Sequence, residues 1–169
     1  MNYQIQGQDV VVTTPVVVTC FGGGYDTGDD GQTESGVLND GSNPNLMGCA
    51  LPVRSTEAST RPSPFADPNK PHIPWGTTVL FWSGTDESKA ISTKLIDNGP
   101  DVAKYPTHWG DLTVKAAAHF AGPNFPTDQL ANNWNAVLSY RIVGGAPYVL
   151  DNRFRARFVR KVKSLFRIS

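Results

Sequence analysis

The chain has little of what usually announces a function. Among 169 residues it has two cysteines, two methionines and three histidines, and 18% of its residues are charged. His72, His108 and His119 are too scattered to form a metal box, so no metal and no cofactor are expected. No run of 18 apolar residues exists, which excludes a helical membrane span. Heptads are absent, against a helical bundle, and so are internal repeats, against a solenoid. The start, Met1-Asn2-Tyr3-Gln4-Ile5-Gln6, lacks a basic n-region and a continuous apolar stretch, so it does not read as a signal peptide.

What the chain does have is turn chemistry and short apolar runs. Its 16 glycines and 13 prolines are spread along the length, which reads as mainly β. Val10–Val12 and Val16–Val18 are β-branched strand runs split by Thr13-Thr14-Pro15, and the proline marks an edge or a bulge. Phe21-Gly22-Gly23-Gly24 breaks that strand. Residues 26–45 form a long, acidic, turn-rich loop, of the length that is commonly functional. Cys49–Val53 reads as a short strand, and 54–74 as a second loop with five prolines. Thr77–Trp82 reads as a strong strand. From Ala90 to Ile96 the residues Ile91, Thr93 and Leu95 alternate with Ser92, Lys94 and Ile96, as in a half-buried strand. Leu112–Phe120 reads as a helix with Asp111 at its N-cap, ended by Gly122-Pro123. Val137–Val143 is the closing strand.

The zero net charge hides an asymmetry. Residues 151–169 carry a net +6, which leaves −6 on the remainder. Phe154, Phe158, Val162 and Phe166 recur every four residues in this tail, with arginines and lysines elsewhere around the turn. That is a basic amphipathic helix, suited to an anionic membrane or wall surface. The acidic remainder argues against nucleic acid as a partner. The domain reading is an N-terminal extension or edge strand at 1–15, a single domain at 16–149 and the basic tail at 150–169. Cys20 and Cys49 flank the acidic loop; a disulfide there would contribute about 3.5 kcal/mol by closing the loop between them, and two buried thiols are the alternative.

Three segments occur in order. They are Gly31-Gln32-Thr33-Glu34-Ser35-Gly36 through Asp40; Ile73-Pro74-Trp75-Gly76-Thr77-Thr78-Val79; and Leu95-Ile96-Asp97-Asn98-Gly99-Pro100 followed by His108-Trp109-Gly110-Asp111-Leu112-Thr113. Together they resemble the rare lipoprotein A family, with its Thr-x-x-Gly loop, Pro-x-Gly-Thr-x-Val strand start, Asp-x-Gly-Pro turn and Asp-Leu-Ser helix start. The last segment also resembles the His-Phe-Asp-Leu-Ser signature of expansins with one extra glycine. The resemblance covers about residues 16–143. It implies a mainly β, six-stranded double-psi β-barrel with long loops and one or two short helices, and a surface groove for extended glycan. One departure stands out: where the pattern has an acidic residue after the loop glycine, this chain has Val37.

Cleavage of a glycosidic bond needs an acid for the leaving oxygen and, for inversion, a second carboxylate to activate water. Asp111 matches the acidic position of related endoglucanases and transglycosylases, and is the candidate acid. Asp97, Asp40 and Asp26 are candidate partners, with turn-forming roles as the alternative. Trp109, His108, Tyr25, Thr33 and Glu34 are candidate substrate contacts. Trp75 and Trp134 could stack on sugars or pack in the core, and Trp82, inside a strand, reads as core. Asp26-Thr27-Gly28 spells the aspartic-protease triplet but follows a glycine turn rather than an apolar strand. As a calcium loop, 26–37 fails because Gly28 and Val37 occupy ligand positions. The expectation is a cell-wall polysaccharide-active protein, extracellular or periplasmic, cleaving peptidoglycan or β-glucan. The alternatives are a non-catalytic, wall-loosening module like expansins, and a phage virion or lysis component.

Overall fold

A computed structural model describes residues 3–26, 30–54 and 70–149. The basic tail, the last two residues of the Asp26-Thr27-Gly28 triplet and most of the proline-rich loop lie outside the described residues.

Among the described residues, seven strands and two short helices follow one another. They are β1 (Gln4–Gln6), β2 (Asp9–Phe21), β3 (Gly48–Leu51), β4 (Thr78–Trp82), β5 (Ile91–Asn98), β6 (His108–Thr113), α1 (Val114–Ala121), α2 (Leu130–Asn133) and β7 (Asn135–Ile142). Hydrogen bonding runs β2-β6-β3-β5-β4-β7 and returns to β2, which closes a six-stranded barrel with β1 outside it. The β2–β6 and β3–β5 pairs are parallel, and the other barrel pairs are antiparallel. This is the six-stranded, mainly β barrel that the sequence leads one to expect. Among the described residues, no helix is long and apolar enough to cross a membrane.

The period of two explains which residues fill the barrel. Val10, Val12, Val16, Val18 and Cys20 of β2 point inward, as do Val79 and Phe81 of β4 and Leu138, Tyr140 and Ile142 of β7. Burying each such aliphatic side chain is worth roughly 1.5–3 kcal/mol. Inward-facing Thr93 satisfies its hydroxyl on the Val79 carbonyl at 3.0 Å, and Tyr140 donates to the Trp109 carbonyl at 3.2 Å. Trp82 and Trp134 are buried, so both pack rather than bind.

β2 is one strand from Asp9 onward, so the barrel begins before the boundary read at Pro15. Thr13, Thr14 and Pro15 form an exposed irregularity between the Val12–Tyr140 and Val16–Leu138 pairs, a place where proline's missing N–H does no harm.

Two expectations are corrected here. Cys20 and Cys49 are free thiols, not a disulfide. Both pair with Leu112, from opposite sides of β6. Two inter-strand spacings, roughly 9.5 Å along the sheet, separate them, whereas a disulfide requires Cα atoms within about 7 Å. The second correction concerns Asp111. The segment from His108 to Thr113 is strand, and α1 begins after Thr113. Asp111 is therefore no helix cap, because pairing with β2 on one side and β3 on the other claims its backbone.

Candidate functional site

The register sets two neighbouring rows of side chains across β2, β6, β3 and β5. Cys20, Leu112, Cys49 and Leu95 form the inner row, within the core. Thr19, Asp111, Ala50 and Asp97 form the outer row. The two carboxylates thus lie on one face, separated by the strand that carries Ala50.

Each carboxylate reaches that row through a β-bulge in its own strand. On β5, Leu95 pairs with Cys49 and Asp97 with the very next residue, Ala50, so Ile96 is the extra residue. Simple alternation from inward-facing Leu95 would have turned Asp97 into the core; the bulge turns it out. On β6, Trp109 and Gly110 together face Val18, between the Val17–His108 and Thr19–Asp111 pairs. The additional glycine of this segment is thereby absorbed. A Cβ on Gly110 would sit 3.1 Å from Leu51 Cδ2 and 3.6 Å from the Ala50 carbonyl, so the bulge leaves little room for a side chain.

Asp111, Ala50 and Asp97 of the outer row floor an open cavity of about 830 Å³. Its wall carries the carboxylates of Asp30, Glu34, Asp97, Asp101 and Asp111, with Lys104 as the cation, alongside Gln32, Asn98, Phe21 and Tyr105. Asp111 Oδ1 accepts a hydrogen bond from the Thr19 hydroxyl. Its Oδ2 lies 3.7 Å from where a Gly99 Cβ would be, so the missing side chain keeps space open beside that oxygen. Asp97 Oδ1 accepts from the amides of Asn98 at 2.8 Å and Glu34 at 3.1 Å. Buried Asn98 in turn accepts from Val53 and Arg54 amides, at 3.1 and 2.9 Å.

The acidic loop is clasped to the barrel by close backbone approach. Gly23 donates to Asn39 O at 2.6 Å, and Asn39 donates its side-chain amide to Phe21 O at 3.0 Å. Gly22, at φ +65°, would bring a Cβ within 2.3 Å of Asn39, so only glycine fits there.

Other expected site residues fall elsewhere. Asp40 is exposed and accepts from the Ser42 amide at 2.9 Å; the Ser42 hydroxyl first and its amide second hold the carboxyl below the ordinary carboxylate range, but it is not on the cavity wall. Asp26 is not on that wall either, and Tyr25 lines a smaller hollow of about 110 Å³. Thr33 is buried, its hydroxyl bonded to Ser35 Oγ and the Val37 carbonyl at 2.9 and 2.7 Å. Trp109 is half-buried against the core with Nε1 on the Pro106 carbonyl at 2.8 Å, so it belongs to packing more than to the cavity. His108 stacks on Tyr105, with centroids 5.4 Å apart.

The cavity aromatic that sequence reasoning missed is Tyr105, 43% exposed on the wall. The lone signal was a large aromatic between Lys104 and Pro106 in a turn. Thr19 was missed too, because its partner lies 92 residues away. Among the described residues, no group of three or more His, Cys, Asp or Glu side chains could hold a metal ion.

The protein is thus a closed six-stranded mixed β-barrel bearing a carboxylate-lined cavity. Its sequence matches no family model, and no curated protein resembles it closely enough to be matched.

Proposed function

We propose that this chain acts on cell-wall polysaccharide, cleaving glycan with paired carboxylates, as its resemblance to the rare lipoprotein A and expansin families implies. The observation that carries this reading is the outward row in which Asp111 and Asp97 flank Ala50 on one cavity floor. Inverting glycosidases need two carboxyl groups in one cleft with room for a water between them. In that chemistry Asp111 protonates the leaving glycosidic oxygen while a partner carboxylate takes a proton from the attacking water. Five carboxylates against Lys104 disfavour polyanionic substrates, so the sugar backbone is neutral or cationic. The basic segment 151–169 would hold the protein on an anionic membrane or wall surface.

A second reading, a non-catalytic wall-loosening module, is favoured by Val37. It is apolar, 38% exposed, and lines a neighbouring groove of about 600 Å³ instead of the cavity. Incubation with peptidoglycan and with β-glucans, followed by mass spectrometry, separates the two. Soluble products that disappear with Asp111→Asn support cleavage. Binding without products supports the second reading, and neither binding nor products overturns both.

A further inference from the structure

The chain departs from the resembled pattern at Val37, yet the cavity has another carboxylate from the same loop. We infer that Glu34 is the second carboxylate of the reacting pair, and that Asp97 positions it. This rests on the glycan-cleaving reading above and assigns its second role to Glu34 in place of Asp97.

Glu34 and Asp111 are both on the cavity wall. The loop is fastened to β5 by two consecutive residues: the Glu34 amide donates to Asp97 Oδ1 at 3.1 Å, and the Ser35 amide to the Ile96 carbonyl at 3.1 Å. The turn beyond is closed by the Gly36 amide on the Thr33 carbonyl at 2.9 Å and by the Thr33 hydroxyl. A residue so anchored presents its side chain from a fixed backbone, which is what a reacting group needs. Asp97, by contrast, has Oδ1 engaged by two backbone N–H groups, one of them Glu34's own. Such a carboxylate acts as a staple for the loop. The bulge at Ile96 explains why: it turns Asp97 outward to meet the loop. The Arg54 guanidinium sits 3.9 Å above the Trp75 ring, and its charge interacts favourably with Glu34.

In the step this implies, ionised Glu34 takes a proton from water as the water oxygen bonds to the anomeric carbon. The bond from that carbon to the glycosidic oxygen breaks, and Asp111 gives its proton to the departing oxygen. Glu34 ends protonated and Asp111 ionised, and exchange with solvent restores both.

The test compares Glu34→Gln, Glu34→Asp, Asp97→Asn and Asp111→Asn with the wild type on whichever glycan it cleaves, measuring kcat, KM and their pH dependence. General acid–base catalysis is worth about 10²–10⁴-fold. Glu34→Gln should therefore lower kcat at least about 100-fold, leave KM within about twofold and abolish the acidic limb of the pH profile. Glu34→Asp should recover part of the rate. Asp97→Asn should raise KM and lower kcat partially while keeping that limb. Glu34 is exposed, so its variants should melt with the wild type, and lost turnover cannot be lost folding. An active wild type whose Glu34→Gln variant stays within about threefold overturns the inference, as does loss of the acidic limb in Asp97→Asn alone. A wild type that cleaves no glycan overturns the cleavage reading and this assignment with it.

Discussion

Thr19 and Asp111 offer the sharpest test of the outer row, because their contact joins two strands far apart in sequence. A net hydrogen bond to a charged group is worth about 1.5–3 kcal/mol. Both residues are half-buried, so the lower end, about 1.5 kcal/mol, is expected. Thr19→Val keeps shape and β-branching while removing the donor, and Asp111→Ala removes the acceptor. Urea unfolding followed by tryptophan fluorescence gives the stability of both single variants and the double variant. The three losses should be non-additive by about 1.5 kcal/mol, roughly a tenfold change in the folding equilibrium. If Asp111 instead capped the following helix, Thr19→Val would not couple to it. Additivity within about 0.3 kcal/mol would mean that the bond, and with it the placement of Asp111 in this row, is wrong.

Burial pushes both thiols up to about 12, above the ordinary 9.0. A thiol reagent should therefore find two sulfhydryls in denatured, unreduced protein and react slowly with native protein. The thiol contribution to stability should be full below pH 9 and decline as pH rises towards 12, since the unfolded chain loses those protons first; a flat alkaline profile would contradict this. Gly99→Ala adds a methyl at ordinary contact distance from Asp111 Oδ2, so stability should change by less than about 1 kcal/mol while glycan turnover falls; unchanged turnover would place the reaction elsewhere. Arg141 holds Glu87 at 2.5 and 2.9 Å and Asp9 at 3.1 Å. Arg141→Ala should cost about 1–2 kcal/mol at neutral pH, a figure kept small because the Glu87 side chain is 38% exposed. Arg141 hydrogen bonds hold Glu87 below its ordinary 4.5, so the stability gap should close as pH falls through that lowered value. Removing 151–169 should weaken retention on anionic vesicles, with the difference shrinking as salt rises; equal retention would assign the tail another purpose.

The β class, the strand runs and the core were legible in the sequence because they depend on local periodicity. Val16 and Val18 point inward, and Ile91 and Leu95 alternate with Ser92 and Lys94, from a side-chain period of two; Trp82 is buried although that period turns it away from inward-facing Phe81. The glycine turn after Phe21 and the long loop beyond it were equally readable from φ requirements and composition. Tertiary structure alone decided which carboxylates meet. The bulges at Ile96 and at Trp109-Gly110 place Asp97 and Asp111 in one outward row, and a bulge is visible only once a partner strand is present to count against. The same non-local pairing turned an apparent helix start at Asp111 into strand. By setting β6 between β2 and β3, it also kept apart the two cysteines that loop closure alone would have joined. Local propensity acts over a few residues, whereas register is set by pairing across scores of them, so chemistry that depends on register had to wait for the fold.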